Sequence, residues 1–324
     1  MKAIFIEQTG GVDALKFGDF PTPLPGPGEV LVKLAYSGVN FIDTYHRSGL
    51  YKLPLPAVIG SEASGKVEKL GEGVTQFKPG DRVAYTMARG SYAELHAVPA
   101  AQLVKIPDNV DDATAAAAML QGCTAHYLTH STFPLKSGQT ALVHAAAGGT
   151  GRLIVQIAKM IGARVIATVG SETKAQLALG DGASEAILYN SQDFVAEAKR
   201  MTDGKGVDVV YDGVGLATFL KGLDCLKPRG MMVAFGNASG PAAPFDPLLL
   251  SQKGSLYVTR PTLFSYIASR EELEWRSSDL FRWIGGGQLK INIDKIYPLA
   301  EAAEAHRDLE GRKTTGKLLL KASS

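Results

Sequence analysis

The chain has 324 residues, 45% of them hydrophobic and 20% charged, which excludes a disordered or fibrous chain. Lys and Arg number 34 against 32 Asp and Glu, a formal net charge of +2, so nucleic acid and acidic membranes are not expected as main partners. No apolar run approaches 18 residues, so no membrane span is expected, and two cysteines, Cys123 and Cys225, cannot build a disulfide framework. With no apolar signal-peptide core at the N-terminus, the expected location is the cytoplasm. The length suggests about two domains.

The first third reads as β structure. Lys2–Ile6 is a short apolar strand, and residues 21–28 (PTPLPGPG) interrupt any regular element. Residues 29–36 (EVLVKLAY) alternate apolar and polar side chains, as a half-buried strand does. Further strands are predicted over 65–70 and 82–85, separated by the turn-rich segment 71–81. Short strands punctuated in this way suggest an antiparallel barrel or sandwich. The Ala-rich stretch 113–120 reads as a buried helix.

After about residue 123 the pattern changes. Strands are predicted over 141–145, 165–169, 186–189, 207–211, 231–235 and 256–258, with helical stretches between most of them. This is the pattern of a doubly wound parallel sheet. The remainder holds a helix over 271–284 and a strand-like tail, KLLLKA, expected to return to the first domain. The predicted fold is α/β: a doubly wound Rossmann domain, residues 124–262, and a mostly β, barrel-like domain, residues 1–123 with 263–324.

The most informative stretch is the junction after the first strand of the parallel sheet. Ala146-Ala147-Gly148-Gly149-Thr150-Gly151 fits A-x-G-x-x-G, a variant of the dinucleotide fingerprint. A helix with Leu153, Ile154, Ile157, Ala158 and Ile161 on one face follows, and then a second strand. Small residues let the backbone turn tightly and approach a pyrophosphate, to which the helix N-terminus offers N–H groups and partial positive charge. NAD-binding proteins place an acid at the end of the second strand, for the ribose hydroxyls. Here that position falls at Gly170, followed by Ser171, Glu172 and Lys174. A hydroxyl and a cation without the acid favour a 2′-phosphate, hence NADPH. Glu172, one residue out of register, is expected to face solvent.

With these residues in view, the whole chain resembles the zinc-free quinone oxidoreductases of the medium-chain dehydrogenase/reductase superfamily. The resemblance is carried by GVNFIDTYHRSGLY (38–51), VIGSEASGKVEKLGEGV (58–74), HAAAGGTG (144–151), VVYDGVG (209–215), FGNASG (235–240) and QKGSLYVTRP (252–261). It implies that the N-terminal domain is GroES-like and that the cleft between the domains holds NADPH and a quinone. Zinc alcohol dehydrogenases carry a Cys after the second main strand and a G-H-E motif further on. This chain has Tyr36-Ser37-Gly38-Val39-Asn40 in the first place and Gly60-Ser61-Glu62 in the second, without the Cys or the His. A catalytic zinc needs about three protein ligands, so no metal is expected.

The resemblance also assigns residues. Asn40, Asp43, Tyr45 and Tyr51 are the candidate catalytic side chains, Asn40 and Tyr45 lining the substrate cleft. Asp43 equally suits a helix N-terminus. Cofactor contacts carry over to Thr124, to Gly148, Gly149, Thr150 and Gly151 at the pyrophosphate turn, and to Ser171, Lys174, Tyr189 and Arg312 around the 2′-phosphate. Phe235, Gly236, Val258, Thr259 and Arg260 match the strand ends beside the nicotinamide. The expected reaction is reduction of a quinone by NADPH without metal. The alternatives are an NADPH-dependent alkenal or enone double-bond reductase and a non-catalytic NADPH-binding protein. The segment 255–260 is the last strand of the parallel sheet, and its open edge invites pairing into a homodimer, as the family forms.

Overall fold

A computed structural model describes residues 1–311 and 314–322. Two units separate within it, Met1–Cys123 with the segment from Tyr266 onward, and Thr124–Ser265.

The first unit is organised by the strand Glu29–Val39. On one side it pairs antiparallel with Glu62–Leu70. On the other it pairs with Leu95–Pro99 along its first half and with Lys317–Lys321 along its second. Ile293–Pro298, Arg82–Thr86 and Leu103–Lys105 complete a seven-stranded sheet. Among the described residues this sheet is open and not a closed barrel. Lys2–Ile6 lies in a second sheet, between Lys16–Asp19 and Ala57–Val58. The strand Glu29–Val39 outruns the alternating stretch 29–36, because Ser37 pairs on both sides and Gly38 pairs with Leu319. Val32, Leu34, Val67, Tyr85, Val98 and Leu103 form the main core beneath it. The helix Asp112–Tyr127 buries Ala115–Met119 completely, so its Ala-rich run is a core segment. Near the C-terminus, Arg270–Gly285 is helical, as the sequence predicts over 271–284.

The second unit holds six parallel strands in the order Glu185–Leu188, Arg164–Val169, Thr140–His144, Val207–Asp212, Leu226–Ala234, Tyr257–Thr259. The order reverses between Thr140–His144 and Val207–Asp212, and ligands bind beyond the strand ends at such a switch point. All six strands match predicted ones. Their interiors are apolar on both faces, as in Ala141-Leu142-Val143 and Val209-Val210-Tyr211, because helices cover the sheet above and below. One strand departs from expectation. Leu226–Ala234 begins five residues early, and a register shift against Val207–Val209 absorbs Pro228, Arg229 and Gly230.

Candidate active site

In the second unit, the strand Thr140–His144 ends at Ala145, which adopts the left-handed backbone conformation (φ 52°). Gly148 N–H then donates to Ala145 O at 2.8 Å and closes a tight turn. Gly148 caps the 13-residue helix Gly149–Ile161. A Cβ on Gly151 would overlap Ala145 O, so only glycine lets this helix sit so close to the strand end. The first N–H groups of a helix have no intrahelical acceptor and carry partial positive charge. The residues at this end, Gly148 to Gly151, therefore fit a pyrophosphate.

Around the end of Arg164–Val169 the structure brings together Gly170, Ser171 and Tyr189. A Cβ on Gly170 would stand 2.7 Å from Tyr189 Oη. The glycine therefore has a second reason beyond the absence of an acid: it makes room for the tyrosine hydroxyl. Asn190 Nδ2 donates to Gly170 O at 2.7 Å and fixes the pair of loops. Ser171 caps the helix Glu172–Asp181, accepting from Lys174 N–H at 3.4 Å. Lys174 thus sits in the first turn of that helix. Glu172 is exposed and accepts from Gln176 Nε2 at 3.2 Å along its own helix. Tyr189 is also exposed. Hydroxyls, a cation and a helix N-terminus at this strand end suit a phosphate.

At the other expected contact region, Phe235 and Gly236 follow Leu226–Ala234, and both N–H groups donate to Asp212 O. The Phe235 ring covers Gly213, where a Cβ would meet it at 2.9 Å. Asp212, which sequence reasoning did not single out, organises this strand end. Its buried carboxylate accepts from Val214 N–H at 2.7 Å, Gly215 N–H at 3.0 Å and Thr218 Oγ1 at 2.9 Å. Its only sequence signal is an acid closing an apolar strand before two glycines. Val258 and Thr259 are half-buried in the outermost strand, and Arg260 is exposed just beyond it. Thr124 is buried in the helix Asp112–Tyr127. Arg312 lies outside the described residues.

In the first unit, Asn40 precedes the helix Phe41–Ser48, which carries Asp43 and Tyr45. Asn40 N–H donates to Asp43 Oδ2 at 2.9 Å. Ser61 Oγ donates to Asp43 Oδ1 at 2.6 Å and Tyr92 Oη to Asp43 Oδ2 at 3.1 Å. Asp43 is fully buried. Burial pushes its carboxyl up to about 7, against the opposing pull of the Ser61 hydroxyl and the Lys317 charge. Tyr45 and Tyr51 are half-buried, with ring centroids 5.3 Å apart and edge to face. The four candidate residues therefore fall into two pairs: a buried polar pair and a partly exposed aromatic pair.

Glu62 and Lys317, which sequence reasoning did not place in the site, join the buried pair. Lys317 Nζ donates to Asn40 Oδ1 at 2.6 Å and forms a short ion pair with Glu62 Oε1. Asn40 and Ser61 stand in the places of the zinc-ligand Cys and His. Neither supplies a thiolate or imidazole, and the Lys317 ammonium held by Asn40 repels a second cation. Among the described residues no group of three His, Cys, Asp or Glu side chains is placed to hold a metal. The residues do not fit zinc.

Comparison with known proteins shows the family. Residues 26–108 match the alcohol dehydrogenase GroES-like domain, and residues 149–277 match the family described as zinc-binding dehydrogenase. The chain is 48% identical to the quinone oxidoreductase of Pseudomonas aeruginosa over 321 residues, covering 98% of this chain and 99% of that protein. It is 43% identical to the 2-haloacrylate reductase of a Burkholderia species, covering 98% of both. The crystal structure of Escherichia coli quinone oxidoreductase complexed with NADPH superposes with a TM-score of 0.97 at 44% identity, covering 99% of this chain and 100% of that one. The chain belongs to the quinone oxidoreductases of the medium-chain dehydrogenase/reductase superfamily.

Proposed function

We propose that this protein reduces quinones with NADPH and without a metal. The observation that carries the cofactor reading is the strand end at Gly170, which bears no acid: Tyr189 Oη lies beside it, and Ser171 and Lys174 stand at the start of the next helix. Support for the acceptor comes from the similarity to quinone oxidoreductases, one of them solved with NADPH. When bound, NADPH supplies the reducing equivalents. Gly148, Gly149, Thr150 and Gly151 hold its pyrophosphate, and Ser171, Lys174, Tyr189 and Arg312 hold its 2′-phosphate. Phe235, Gly236, Val258, Thr259 and Arg260 flank its nicotinamide, and Thr124 contacts it from the last turn of the helix Asp112–Tyr127. The first unit serves the acceptor. Tyr45 and Tyr51 offer aromatic edges and hydroxyls to a flat quinone, while Asn40 and Asp43 set the helix that presents Tyr45. The protein's contribution is orientation more than acid–base chemistry. Steady-state turnover of NADPH with 1,4-benzoquinone tests the reading; no turnover with any quinone would refute it.

A second reading is favoured by the similarity to a 2-haloacrylate reductase. Quinones and 2-haloacrylates share a carbon–carbon double bond conjugated to a carbonyl or carboxyl group. Competition between benzoquinone and a 2-haloacrylate for the same NADPH decides which acceptor is preferred.

We also infer a cytoplasmic homodimer. No helix among the described residues is long and apolar enough to cross a membrane. Tyr257–Thr259 is the last strand of its sheet, and Tyr257 is 57% exposed. A two-fold pairing of this edge is self-complementary. Light scattering should give twice the 34.3 kDa chain mass, and Tyr257→Pro should shift it toward monomer, since Pro removes an edge donor. A wild-type monomer at micromolar concentration would overturn the inference.

A further inference from the structure

Lys317 opens the strand Lys317–Lys321, and its side chain is only 1% exposed. A lysine this deep needs a fixed partner, because water no longer solvates its charge. It has two. One is Glu62, 0% exposed, through Oε1. The other is Asn40 Oδ1 at 2.6 Å. Asn40 Nδ2 donates back to the same Glu62 oxygen at 2.7 Å. Glu62 Oε2 accepts from Leu120 N–H at 2.6 Å. Gly38 is required beside them, since a Cβ there would overlap the Glu62 carboxylate. Three side chains thus join the strand Glu29–Val39, the strand Glu62–Leu70, the helix Asp112–Tyr127 and the last strand of the chain.

The ammonium also decides which way the Asn40 amide points. Its oxygen faces Lys317, and its nitrogen faces Glu62 Oε1 and Gly38 O. The reversed amide would set donors against the ammonium and an acceptor against the carboxylate. Asn40 in turn holds Asp43 through its backbone N–H, at the start of the helix that carries Tyr45. A neutral side chain of the same size could fill this space, but it would leave Asn40 Oδ1 without its donor and Glu62 without its counter-charge.

We propose that Lys317 is a positioning residue of the active site: a buried cation that sets the Asn40 amide and, with it, the start of the helix that carries Tyr45. The proposal rests on the quinone reductase reading for its kinetic consequences. Unlike a metal, an ammonium offers no open coordination position, so it orders the neighbouring groups and does not polarise the acceptor. Asn40 and Ser61 each lie one hydrogen bond from Asp43.

The test compares Lys317→Met, Lys317→Arg and the neutral pair Lys317→Met/Glu62→Gln. Turnover with NADPH and benzoquinone is read together with NADPH affinity and with solvent exchange of the Asn40 side-chain amide in selectively labelled protein. Lys317→Met is expected to lower kcat at least tenfold and leave the NADPH Kd within twofold. Lys317→Arg should restore kcat to within about threefold. The neutral pair is the deciding variant, because it removes both buried charges and retains the fold even where Lys317→Met does not. It should stay slow, with faster amide exchange at Asn40. Wild-type kcat in the neutral pair, or unchanged Asn40 exchange in it, would overturn the proposal. Amide exchange does not depend on turnover, so it still decides the role of Lys317 if the wild type reduces no quinone.

Discussion

The two units solve the problem of holding a site in opposite ways. The second unit works with backbone. Its cofactor end is shaped by Gly148, Gly151 and Gly170, by helix N-termini, and by one buried acid, Asp212, that gathers three donors from its own loop. The first unit works with buried charge. Lys317, Glu62, Asn40 and Asp43 hold one another at depths of 3% exposure or less. Backbone recognition fails when a side chain is added, whereas a buried charge cluster fails when a charge is removed or a proton gained. Each unit therefore has its own way of being broken.

The largest effect is expected at Gly151. A Cβ there would overlap Ala145 O in the turn proposed to hold the pyrophosphate. Gly151→Val should abolish measurable NADPH binding in a fluorescence titration and destabilise the fold by about 1–3 kcal/mol through overpacking. Next is the phosphate end. A charged hydrogen bond contributes about 1.5–3 kcal/mol. The native protein should bind NADPH at least about tenfold more tightly than NADH, and Lys174→Ala should narrow the gap while leaving NADH affinity unchanged. Comparing the two Kd values in both proteins checks this.

The charged unit should show itself in pH dependence. Burial lowers His46 and His96 to about 4, and burial with the Arg47 charge lowers His306 to about 3. These groups contribute stability above about 6.5, their unfolded value, and lose it as pH falls toward their folded values. Asp43 acts in the opposite sense: its raised folded value favours the fold at low pH and loses that contribution as pH rises through about 7. Three groups outweigh one, so denaturant midpoints should fall from pH 7 to pH 5. At pH 5 His306 alone accounts for about 2 kcal/mol. His306→Gln keeps an acceptor for Arg47 and a donor for Tyr92, and it should flatten the dependence. The smallest effect concerns metal. Prolonged chelation should change quinone turnover by less than twofold, and loss of activity together with stoichiometric zinc would contradict the reading of Asn40 and Ser61.

The contrast between the units also explains what could be read from the chain alone. The parallel sheet announces itself locally, since each strand is a short apolar run and the turn after Thr140–His144 is spelled out in consecutive small residues. The buried charge cluster has no local signature. Asn40 and Lys317 are 277 positions apart and Glu62 and Lys317 are 255 apart, so no window of sequence contains the pair. Glu62 shows only as an acid in a run of small residues, and Lys317 as the first residue of an apolar tail. Gly170 is legible as a missing acid, but its packing against Tyr189 Oη is not, because the tyrosine arrives from the next strand. The strand Leu226–Ala234 hides its start behind Pro228 and Gly230, which only a bulge can accommodate.

The central claim is that this chain delivers electrons from NADPH to quinone without a metal. The most direct test is turnover of chelator-treated protein with 1,4-benzoquinone, measured side by side with NADPH and NADH. Full activity in the absence of metal, with kcat/KM at least about tenfold higher for NADPH, is the predicted result. Equal use of the two cofactors, or activity that returns only when zinc is added back, would contradict it.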